Sequence, residues 1–347
     1  MRPLLRRLFR STLISSIPWL ILAVLFLFIS DAGADNTALL KRDVVRAYIR
    51  QVSTEHNLDQ NRIAGLFARL ETQSDIIEAI SSPAEFTLTW GQYRPIFIKP
   101  TRIEAGRDFL GEHQALLEQA EASYGVPATI IAAIIGVETF YGRITGKHSV
   151  LESLATLAFD YPPRADFFRS ELTEFLVLSE AEGWDASSVK GSYAGAMGMP
   201  QFISSSYRQY AIDFDDDGKR DLFDSPADVI GSVANYLARH GWQRDMPVVE
   251  RWLNAADKQQ VLANLTRQRL MPVIAADTLR DAGFDTDDLT RGTAEGARAS
   301  VMLLEGSDGM EGWVGYNNFY VITRYNHSQL YAMAVFQLAE TLAASKS

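Results

Sequence analysis

Glu138 has the most distinctive chemical context in the sequence, within the run GVETFYGR at positions 136–143. We expect Ile135, Phe140 and Tyr141 to surround its side chain. Burial against these groups disfavours the ionised carboxylate and raises its pKa, as a general acid working near neutral pH requires. A single glutamate on a helix more often has a structural role, such as pairing with the arginine that ends this run. The glutamate alone therefore leaves both interpretations open.

A second segment, KGSYAGAMGMPQF at positions 190–202, is rich in glycine and alanine. Residues with small side chains let the backbone approach a ligand closely. Ser192, Tyr193 and Gln201 add polar groups that suit sugar hydroxyls and amides. Segments of this kind also serve tight packing, so the composition by itself does not decide between the two roles.

A third segment, DFDDDGKRDLFD at positions 213–224, has aspartates at loop positions 1, 3, 5, 9 and 12 and glycine at position 6. This is the EF-hand pattern, with aspartate in place of the usual glutamate at position 12. Carboxylates at this spacing repel one another unless a cation joins them. The pattern predicts a single structural Ca²⁺ and no organic cofactor, and the alternative is a solvated acidic turn.

The elements that must position these groups are mostly helical, because apolar residues recur at helical spacing. The stretch 124–142, which Pro127 opens, is apolar on nearly every side and should be a buried central helix. Further helices are predicted at 165–182, 200–210, 226–240, 257–269 and 328–344. The clearest strand pattern is a hairpin of 299–304 and 312–323. The sequence thus predicts a mainly α (α+β) protein.

The chain divides into four regions by these patterns. Residues 1–34 have the layout of a cleaved secretory signal, and the apolar run at 13–29 is at the lower length limit for an uncleaved inner-membrane anchor. Residues 35–120 form an N-terminal helical region. The main body comprises 121–245 together with 313–347, and a small mixed insertion with the hairpin occupies 246–312. We expect an exported monomer, soluble or anchored at its N-terminus.

Charge and composition restrict the partners. The formal net charge is −10 and the chain has no cysteine. The acidic balance argues against nucleic acid as a partner. The lack of cysteine excludes disulfides, a catalytic thiol and a thiolate metal site. A polymer ligand would be held mainly by stacking and hydrogen bonds, for which 13 Tyr, 6 Trp and 18 Phe are present.

Taken together, the glutamate run, the glycine-rich segment and the later pair Tyr325-Asn326 resemble the lysozyme-like lytic transglycosylases. The similarity is closest to the membrane-bound lytic murein transglycosylase B family and covers about residues 90–242 and 318–337. It implies a lysozyme-like catalytic core with extra N-terminal helices, acting in the periplasm on peptidoglycan glycan strands. It also implies non-hydrolytic cleavage between N-acetylmuramic acid and N-acetylglucosamine, which leaves a 1,6-anhydro sugar.

The resemblance further assigns roles to single residues. Glu138 matches the glutamate that protonates the leaving oxygen and then takes the proton of the C6 hydroxyl. Arg164 matches a basic residue that faces peptide stems or lactyl groups. Positions that line the glycan groove are matched by Tyr93, Ser192, Gln201, Tyr236, Tyr325, Asn326 and Tyr331. The calcium ligands implied are Asp213, Asp215, Asp217, the Lys219 carbonyl and Asp224 or Asp228.

Two alternatives stay open at this point. A muramidase of the same fold would add water instead of the internal hydroxyl, and a non-catalytic glycan-binding protein would keep its activity without Glu138. A calcium sensor is disfavoured, because the loop is single and its flank at 209–212 is too short for paired helices. The nearest rival carboxylate is Asp160, which precedes a proline-rich turn and which we interpret as structural.

Overall fold

The computed structural model describes residues 39–81, 87–252, 270–284 and 298–344, all of which belong to one compact unit, Thr37–Ser347. The signal or anchor predicted at 1–34 and the helix predicted at 257–269 lie outside these residues. Most of the described chain is helical, as expected. The helices are α1 Asp43–His56, α2 Gln60–Phe67, α3 Ser74–Ile80, α4 Trp90–Phe97, α5 Pro100–Glu112, α6 Gln114–Tyr124, α7 Ala128–Thr139, α8 Val150–Asp160, α9 Ala165–Ala181, α10 Ser204–Tyr210, α11 Pro226–Arg239, α12 Ala276–Asp281, α13 Asn317–Tyr325 and α14 Gln329–Ala343. The strands are β1 His148–Ser149, β2 Lys190–Gly191, β3 Val249–Trp252, β4 Ile274–Ala275, β5 Arg298–Gly306 and β6 Gly309–Gly315.

The predicted central helix is α7, and every residue of its apolar body, 130–137, is buried. It packs against α5, α6, α11 and α14. The helix is shorter than predicted, because Pro127 is its N-cap and its last residue is Thr139. The three residues that follow, 140–142, have φ angles of 53°, 60° and 81°. A left-handed backbone cannot continue a right-handed helix, so the chain turns away directly after the glutamate of interest.

Helices α1 to α6 lie in the N-terminal part of the chain, between residues 43 and 124. Asp160, the last residue of α8, joins this region to the main body. Its carboxylate accepts hydrogen bonds from Arg42 Nη1 at 2.7 Å and from Thr72 Oγ1 at 2.6 Å. Both donors come from the N-terminal segment, so the structural interpretation of Asp160 is confirmed.

The small insertion contains a four-stranded antiparallel sheet in the order β3-β6-β5-β4. Strands β5 and β6 form the predicted hairpin, with Ser307 and Asp308 in the turn. A second core of apolar side chains lies within this part of the chain, around Trp252, Leu279 and Val314. Strand β6 ends at residue 315, inside the stretch 312–323 that was predicted as the second strand. The limits 246–312 of the insertion stay a prediction.

The hairpin itself forms, but the prediction of a strand as far as residue 323 is wrong, because residues 317–325 form helix α13. The buried side chain of Asn318 explains the change of structure. It donates to the carbonyls of Gln243 and Met246 and accepts from the Gln243 nitrogen, all between 2.7 and 2.9 Å. This long-range network fixes the start of the helix, and alternation in the local sequence does not reveal it.

Helix α10 also begins later than predicted, at Ser204 rather than Pro200. The residues just before the helix form a tight turn, in which Met197 and Phe202 make an isolated antiparallel bridge. Within the described residues, no single helix is long and apolar enough to span a membrane, and only the pair α6 and α7, bent by 113°, meets that criterion jointly.

Candidate active site

Glu138 lies in the last turn of α7, with its side chain partly exposed. The hydroxyl of Tyr331 donates a hydrogen bond of 2.6 Å to its Oε1. Tyr331 can reach the glutamate because α14, which carries it, packs along α7. A bond between side chains 193 positions apart in the sequence fixes the carboxylate at the end of the buried helix.

Three tyrosines, Tyr236, Tyr325 and Tyr331, form a tyrosine wall beside this carboxylate. Tyr325 stacks on Tyr331 with 6.4 Å between ring centroids and 12° between ring planes, and it contacts Tyr236 at 4.7 Å. The pKa values of Tyr325 and Tyr331 are raised well above the usual value, mainly by burial and next by the charge of Glu138. Both hydroxyls therefore stay protonated and serve as donors. In the described part of the chain, no other carboxylate contributes to these two shifts.

Hydrogen bonds to the backbone hold the tyrosine wall from behind. The Tyr325 hydroxyl donates to the carbonyl of Pro200 at 2.7 Å, and the Tyr236 hydroxyl donates to the carbonyl of Arg324 at 2.6 Å. A ring whose hydroxyl is bonded in this way cannot swing without losing a buried hydrogen bond. The wall is therefore a rigid surface that joins the glycine-rich segment to α13.

Burial limits what three of the predicted groove tyrosines can contact. Tyr93, Tyr236 and Tyr331 are only 2%, 6% and 2% exposed. Tyr93 is close enough to Tyr331 to contribute to the raised pKa of that residue, after burial and Glu138. Of the four predicted tyrosines, only Tyr325 is partly exposed. The structure thus gives most of them a supporting position and leaves Tyr325 as the ring that a sugar could touch.

The predicted polar groups of the glycine-rich segment are used within the protein. Ser192 Oγ accepts hydrogen bonds from two backbone nitrogens of the turn that follows it, at 3.2 and 3.0 Å. Gln201 Nε2 donates to the carbonyls of Thr145 and Gly198, at 3.0 and 2.9 Å. Both side chains therefore shape the backbone next to Glu138.

Two loops meet at this place. Strands β1 and β2 pair, with His148 opposite Gly191. Just before β1, Gly146 has a φ of 101°, and a Cβ atom on it would lie 2.1 Å from the Gly191 carbonyl oxygen. Only glycine allows such an approach. The loop at 142–147 and the segment at 190–202 therefore form one continuous surface.

Thr139 is a residue that our sequence analysis missed. Its hydroxyl donates to the carbonyl of Met199 at 2.8 Å and accepts from the nitrogen of Gly142 at 3.1 Å. It thus joins the end of α7 to the glycine-rich segment, one residue after Glu138. The only hint in the local sequence is that a threonine directly follows Glu138 near the end of a helix that is predicted to be buried.

Arg164 and Asn326 are the remaining predicted substrate contacts. The exposed Arg164 guanidinium lies 4.2 Å from the ring centroid of Phe167. Burial, then the charges of Arg324 and Arg164, lower the pKa of His327. Arg164 is therefore close enough to His327, in the turn after α13, to act on its charge, and the first residue of that turn is the partly exposed Asn326. A contact of either side chain with the substrate stays a prediction.

The acidic loop folds as the EF-hand pattern predicts in its first half. Asp213, Asp215 and Asp217 offer carboxylate oxygens that all lie within 4.8 Å of one another. Asp213 accepts from the backbone nitrogens of Asp217 and Gly218, at 3.1 and 2.8 Å. These bonds close the loop around the three carboxylates, which is the donor set that Ca²⁺ prefers.

The later predicted ligands are placed differently. Asp228 is 1% exposed, and its two oxygens each accept a backbone N–H, from Phe214 and Asp221, at 2.7 Å. It holds the two halves of the loop together and is not one of the three close carboxylates. Asp224 is exposed and also lies outside that group. Lys219 donates its backbone nitrogen to Asp217 at 2.9 Å, and a role for its carbonyl stays a prediction.

Comparison with known proteins places this arrangement in a family. Residues 41–340 match the family described as the Transglycosylase SLT domain. The chain belongs to the transglycosylase SLT family. Membrane-bound lytic murein transglycosylase B of Escherichia coli strain K12 is 37% identical over 312 residues, which cover 86% of this chain and 82% of that protein.

Solved structures of lytic transglycosylases share the fold of this SLT-family chain. Soluble lytic transglycosylase SltB1 from Pseudomonas aeruginosa superposes with a TM-score of 0.79 and 44% identity, over 87% of this chain and 98% of that chain. Escherichia coli Slt35 in complex with calcium superposes with a TM-score of 0.77 and 35% identity, over 90% of this chain and 96% of that chain. Pseudomonas aeruginosa SltB3 in complex with NAG-anhNAM-pentapeptide superposes with a TM-score of 0.73 and 33% identity, over 86% of this chain and 78% of that chain. The lysozyme-like fold is confirmed, and the SLT-family chain is a lytic transglycosylase.

Proposed function

We propose that this lytic transglycosylase cleaves the bond between N-acetylmuramic acid and N-acetylglucosamine in peptidoglycan strands, with Glu138 as both acid and base. The observation that carries the proposal is the position of the Glu138 carboxylate at the end of the buried helix α7, where the Tyr331 hydroxyl holds it beside the tyrosine wall. Among the described residues that we place in this site, Glu138 is the one carboxylate. Most glycosidases that add water use two carboxylates. One carboxylate suits a reaction in which the substrate supplies its own nucleophile.

The chemistry then needs two proton transfers at one group. Protonated Glu138 gives its proton to the oxygen that bridges the sugars, while the bond from that oxygen to C1 breaks. The ionised carboxylate next takes the proton of the C6 hydroxyl as that oxygen bonds to C1. The products are a shortened strand and a 1,6-anhydro muramic end, Glu138 is protonated again, and no water is consumed.

The surroundings supply positioning for these steps. The Tyr331 hydroxyl holds one carboxylate oxygen, and Thr139 ties the end of α7 to the segment at 190–202. We propose that Tyr325 contacts a sugar ring, because it is the partly exposed member of the tyrosine wall. Arg164 and Asn326 are proposed to contact the stems or acetamido groups.

Replacing Tyr331 with Phe tests the positioning role. The ring and its packing on Tyr325 are kept, but the bond to Glu138 is lost. Since a hydrogen bond to a charged group contributes about 1.5–3 kcal/mol, kcat is expected to fall by about tenfold to a hundredfold. Strand affinity should change little. Steady-state kinetics on soluble glycan fragments measure both.

Tyr48→Phe is the matched control for this variant. The Tyr48 hydroxyl bonds Thr173 Oγ1 at 3.0 Å within the helices α1 and α9, so it is buried and paired but not part of the site. Its kcat should equal that of the wild type. Equal kinetics for the two variants would contradict the role given to Tyr331.

Digestion of purified murein sacculi tests the proposed function as a whole. The wild-type protein should solubilise the sacculi and release muropeptides with anhydro ends. A sacculus left intact under all conditions would contradict the proposal. The substrate lies outside the cytoplasmic membrane, which agrees with the export that the first 34 residues predict.

We also propose that the acidic loop binds one Ca²⁺ through Asp213, Asp215 and Asp217. Three carboxylates within 4.8 Å fit a hard cation with oxygen ligands. The Slt35 relative was solved with calcium. When bound, the ion would neutralise the loop and hold it next to α10 and α11, and it takes no part in the sugar chemistry.

Removing the ion is expected to lower the melting temperature. At a calcium concentration of about one hundred times the Kd, binding stabilises a fold by about 2.7 kcal/mol, so chelation should cost several degrees. Asp215→Asn should abolish the difference between calcium and chelator. Asp216→Asn, at the neighbouring position that the pattern does not use, should keep it. Scanning calorimetry with and without chelator decides, and an unchanged melting temperature in the wild type would contradict the site.

A further inference from the structure

A polar cavity of about 230 Å³ lies between α4, α14 and the hairpin of β5 and β6. The cavity is distinct from the site around Glu138, because none of the residues that we place in that site lines it. The turn of the hairpin rests directly on α4, since a Cβ atom on Gly91 would lie 2.8 Å from the Ser307 nitrogen. The cavity is thus bounded by close backbone packing on this side.

Two arginines from different elements line the cavity. Arg94 projects from α4, and its Nε donates to Gln337 on α14 at 2.5 Å, which orients the guanidinium. Arg251 comes from β3, and its guanidinium carbon lies 5.8 Å from the ring centroid of Trp313. Neither arginine forms an ion pair with a described carboxylate.

Two carboxylates line the same cavity, Asp308 at the hairpin turn and Glu311 on β6. Glu311 is held in place, because its Oε2 accepts the Trp313 indole N–H at 3.2 Å and its Oε1 lies against the backbone at Gly306. Arginine and carboxylate groups therefore surround one small space without pairing across it in the described structure. Such a surface is complementary to a ligand that carries both charges.

Trp90 supplies an independent sign of a ligand. This residue lines the cavity and is 1% exposed, yet its indole N–H has no hydrogen-bond acceptor among the described residues. Buried donors are almost always paired, and an indole N–H can only donate. An acceptor atom from outside the chain would satisfy it, and a carboxylate oxygen is the acceptor that the nearby arginines also favour.

We propose that this cavity is a second ligand site, which binds a short zwitterionic peptide by both of its charged termini. The carboxylate of the ligand lies toward Arg94, Arg251 and the Trp90 indole. Its ammonium group lies toward Asp308 and Glu311. The volume is below the usual range of about 300–1,000 Å³ for drug-sized ligands, so it suits one or two amino-acid residues.

A stem peptide that has been freed from the wall is one source of such a ligand, and this part of the inference rests on the proposed function. The charge pattern of the cavity does not rest on it. A free dipeptide is the other source. Binding can therefore be measured without cleavage, in the full-length Glu138→Gln protein.

The test is a calorimetric titration with alanyl-alanine. N-acetyl-alanyl-alanine, which lacks the ammonium group, and alanyl-alanine amide, which lacks the carboxylate, are the matched probes. Each capped probe should bind at least about tenfold more weakly, since each loses a charge-assisted contact. Arg251→Gln and Glu311→Gln should weaken alanyl-alanine binding to a similar degree. Arg50→Gln, at an exposed position on α1, should leave it unchanged.

The outcomes separate the parts of the inference. Absent binding, or equal binding by the wild type and Arg251→Gln at unchanged melting temperatures, would overturn the site. Competition by the free stem peptide, but not by the bare disaccharide, identifies the wall as the source, and competition by neither rejects that source. If sacculi stay intact while binding still depends on Arg251, the proposed function fails and the second site stands.

Discussion

Glu138→Gln is expected to stop strand cleavage while leaving strand binding intact. The amide has almost the same shape and still accepts a hydrogen bond from Tyr331, so the site keeps its geometry. It can neither deliver a proton nor take one at neutral pH. General acid–base catalysis contributes factors of about 10² to 10⁴, and here a single group performs both steps, so a loss of about 10³-fold or more is expected.

Two measurements on this variant are needed together. Muropeptide release from sacculi reports cleavage, and co-sedimentation with sacculi reports binding. Glu340→Gln, which changes an exposed glutamate on the same helix as Tyr331, should behave like the wild type in both. Full cleavage by Glu138→Gln would contradict the catalytic role given to Glu138.

Gly146→Ala is expected to lower both stability and activity. The left-handed φ of 101° strains any residue with a Cβ atom, and that atom would lie 2.1 Å from the Gly191 carbonyl oxygen. Neither of the two atoms in conflict belongs to a flexible side chain, so the loops must separate. Strain and displacement together should reduce the free energy of unfolding by about 3 kcal/mol or more. Because these loops form the surface beside Glu138, kcat should also fall.

Gly183→Ala provides the matched control for this variant. Gly183 also has a positive φ, 69°, but no atom lies within 4 Å of an added Cβ. It should therefore cost only the strain, about 1 kcal/mol, and leave kcat unchanged. Urea unfolding and kinetics compare the two. If Gly146→Ala is no worse than Gly183→Ala, the contact between the loops does not matter in the way proposed.

Local patterns were sufficient for some of the architecture. The central helix α7 was predicted because a long apolar run between Pro127 and Gly142 has few other solutions, and its burial follows from having no polar face. The carboxylate cluster at 213–217 was predicted because an acidic spacing with a glycine at position 6 specifies a loop by itself. Both signals lie within about twenty consecutive residues.

Other features depend on contacts that the local sequence does not contain. Residues 317–323 alternate well enough for a strand, but buried hydrogen bonds from Asn318 to the loop after α11 make them a helix. The groove tyrosines were identified by resemblance, yet their spacing could not show that Tyr93 and Tyr236 are buried and Tyr325 is partly exposed. An aromatic ring contributes equally to a core and to a sugar-binding surface.

The same limit applied to polar side chains. Ser192 and Gln201 were predicted to contact sugar, and this stays a prediction; the structure adds that both side chains bond backbone groups beside the site. Asp228 was predicted as a possible calcium ligand, and the structure shows that each of its oxygens accepts a backbone N–H. Sequence identifies a residue's capacity for hydrogen bonding, whereas the partner is chosen by the tertiary fold.

Cleavage of sacculi in ¹⁸O-labelled water tests the central claim most directly. If the C6 hydroxyl is the nucleophile that Glu138 activates, each new muramic end is lighter than a reducing end by one water and contains no label. Mass spectrometry of the released muropeptides should show only such unlabelled anhydro ends from the first products onward. New reducing ends that carry ¹⁸O would show that water is the nucleophile and would contradict the account.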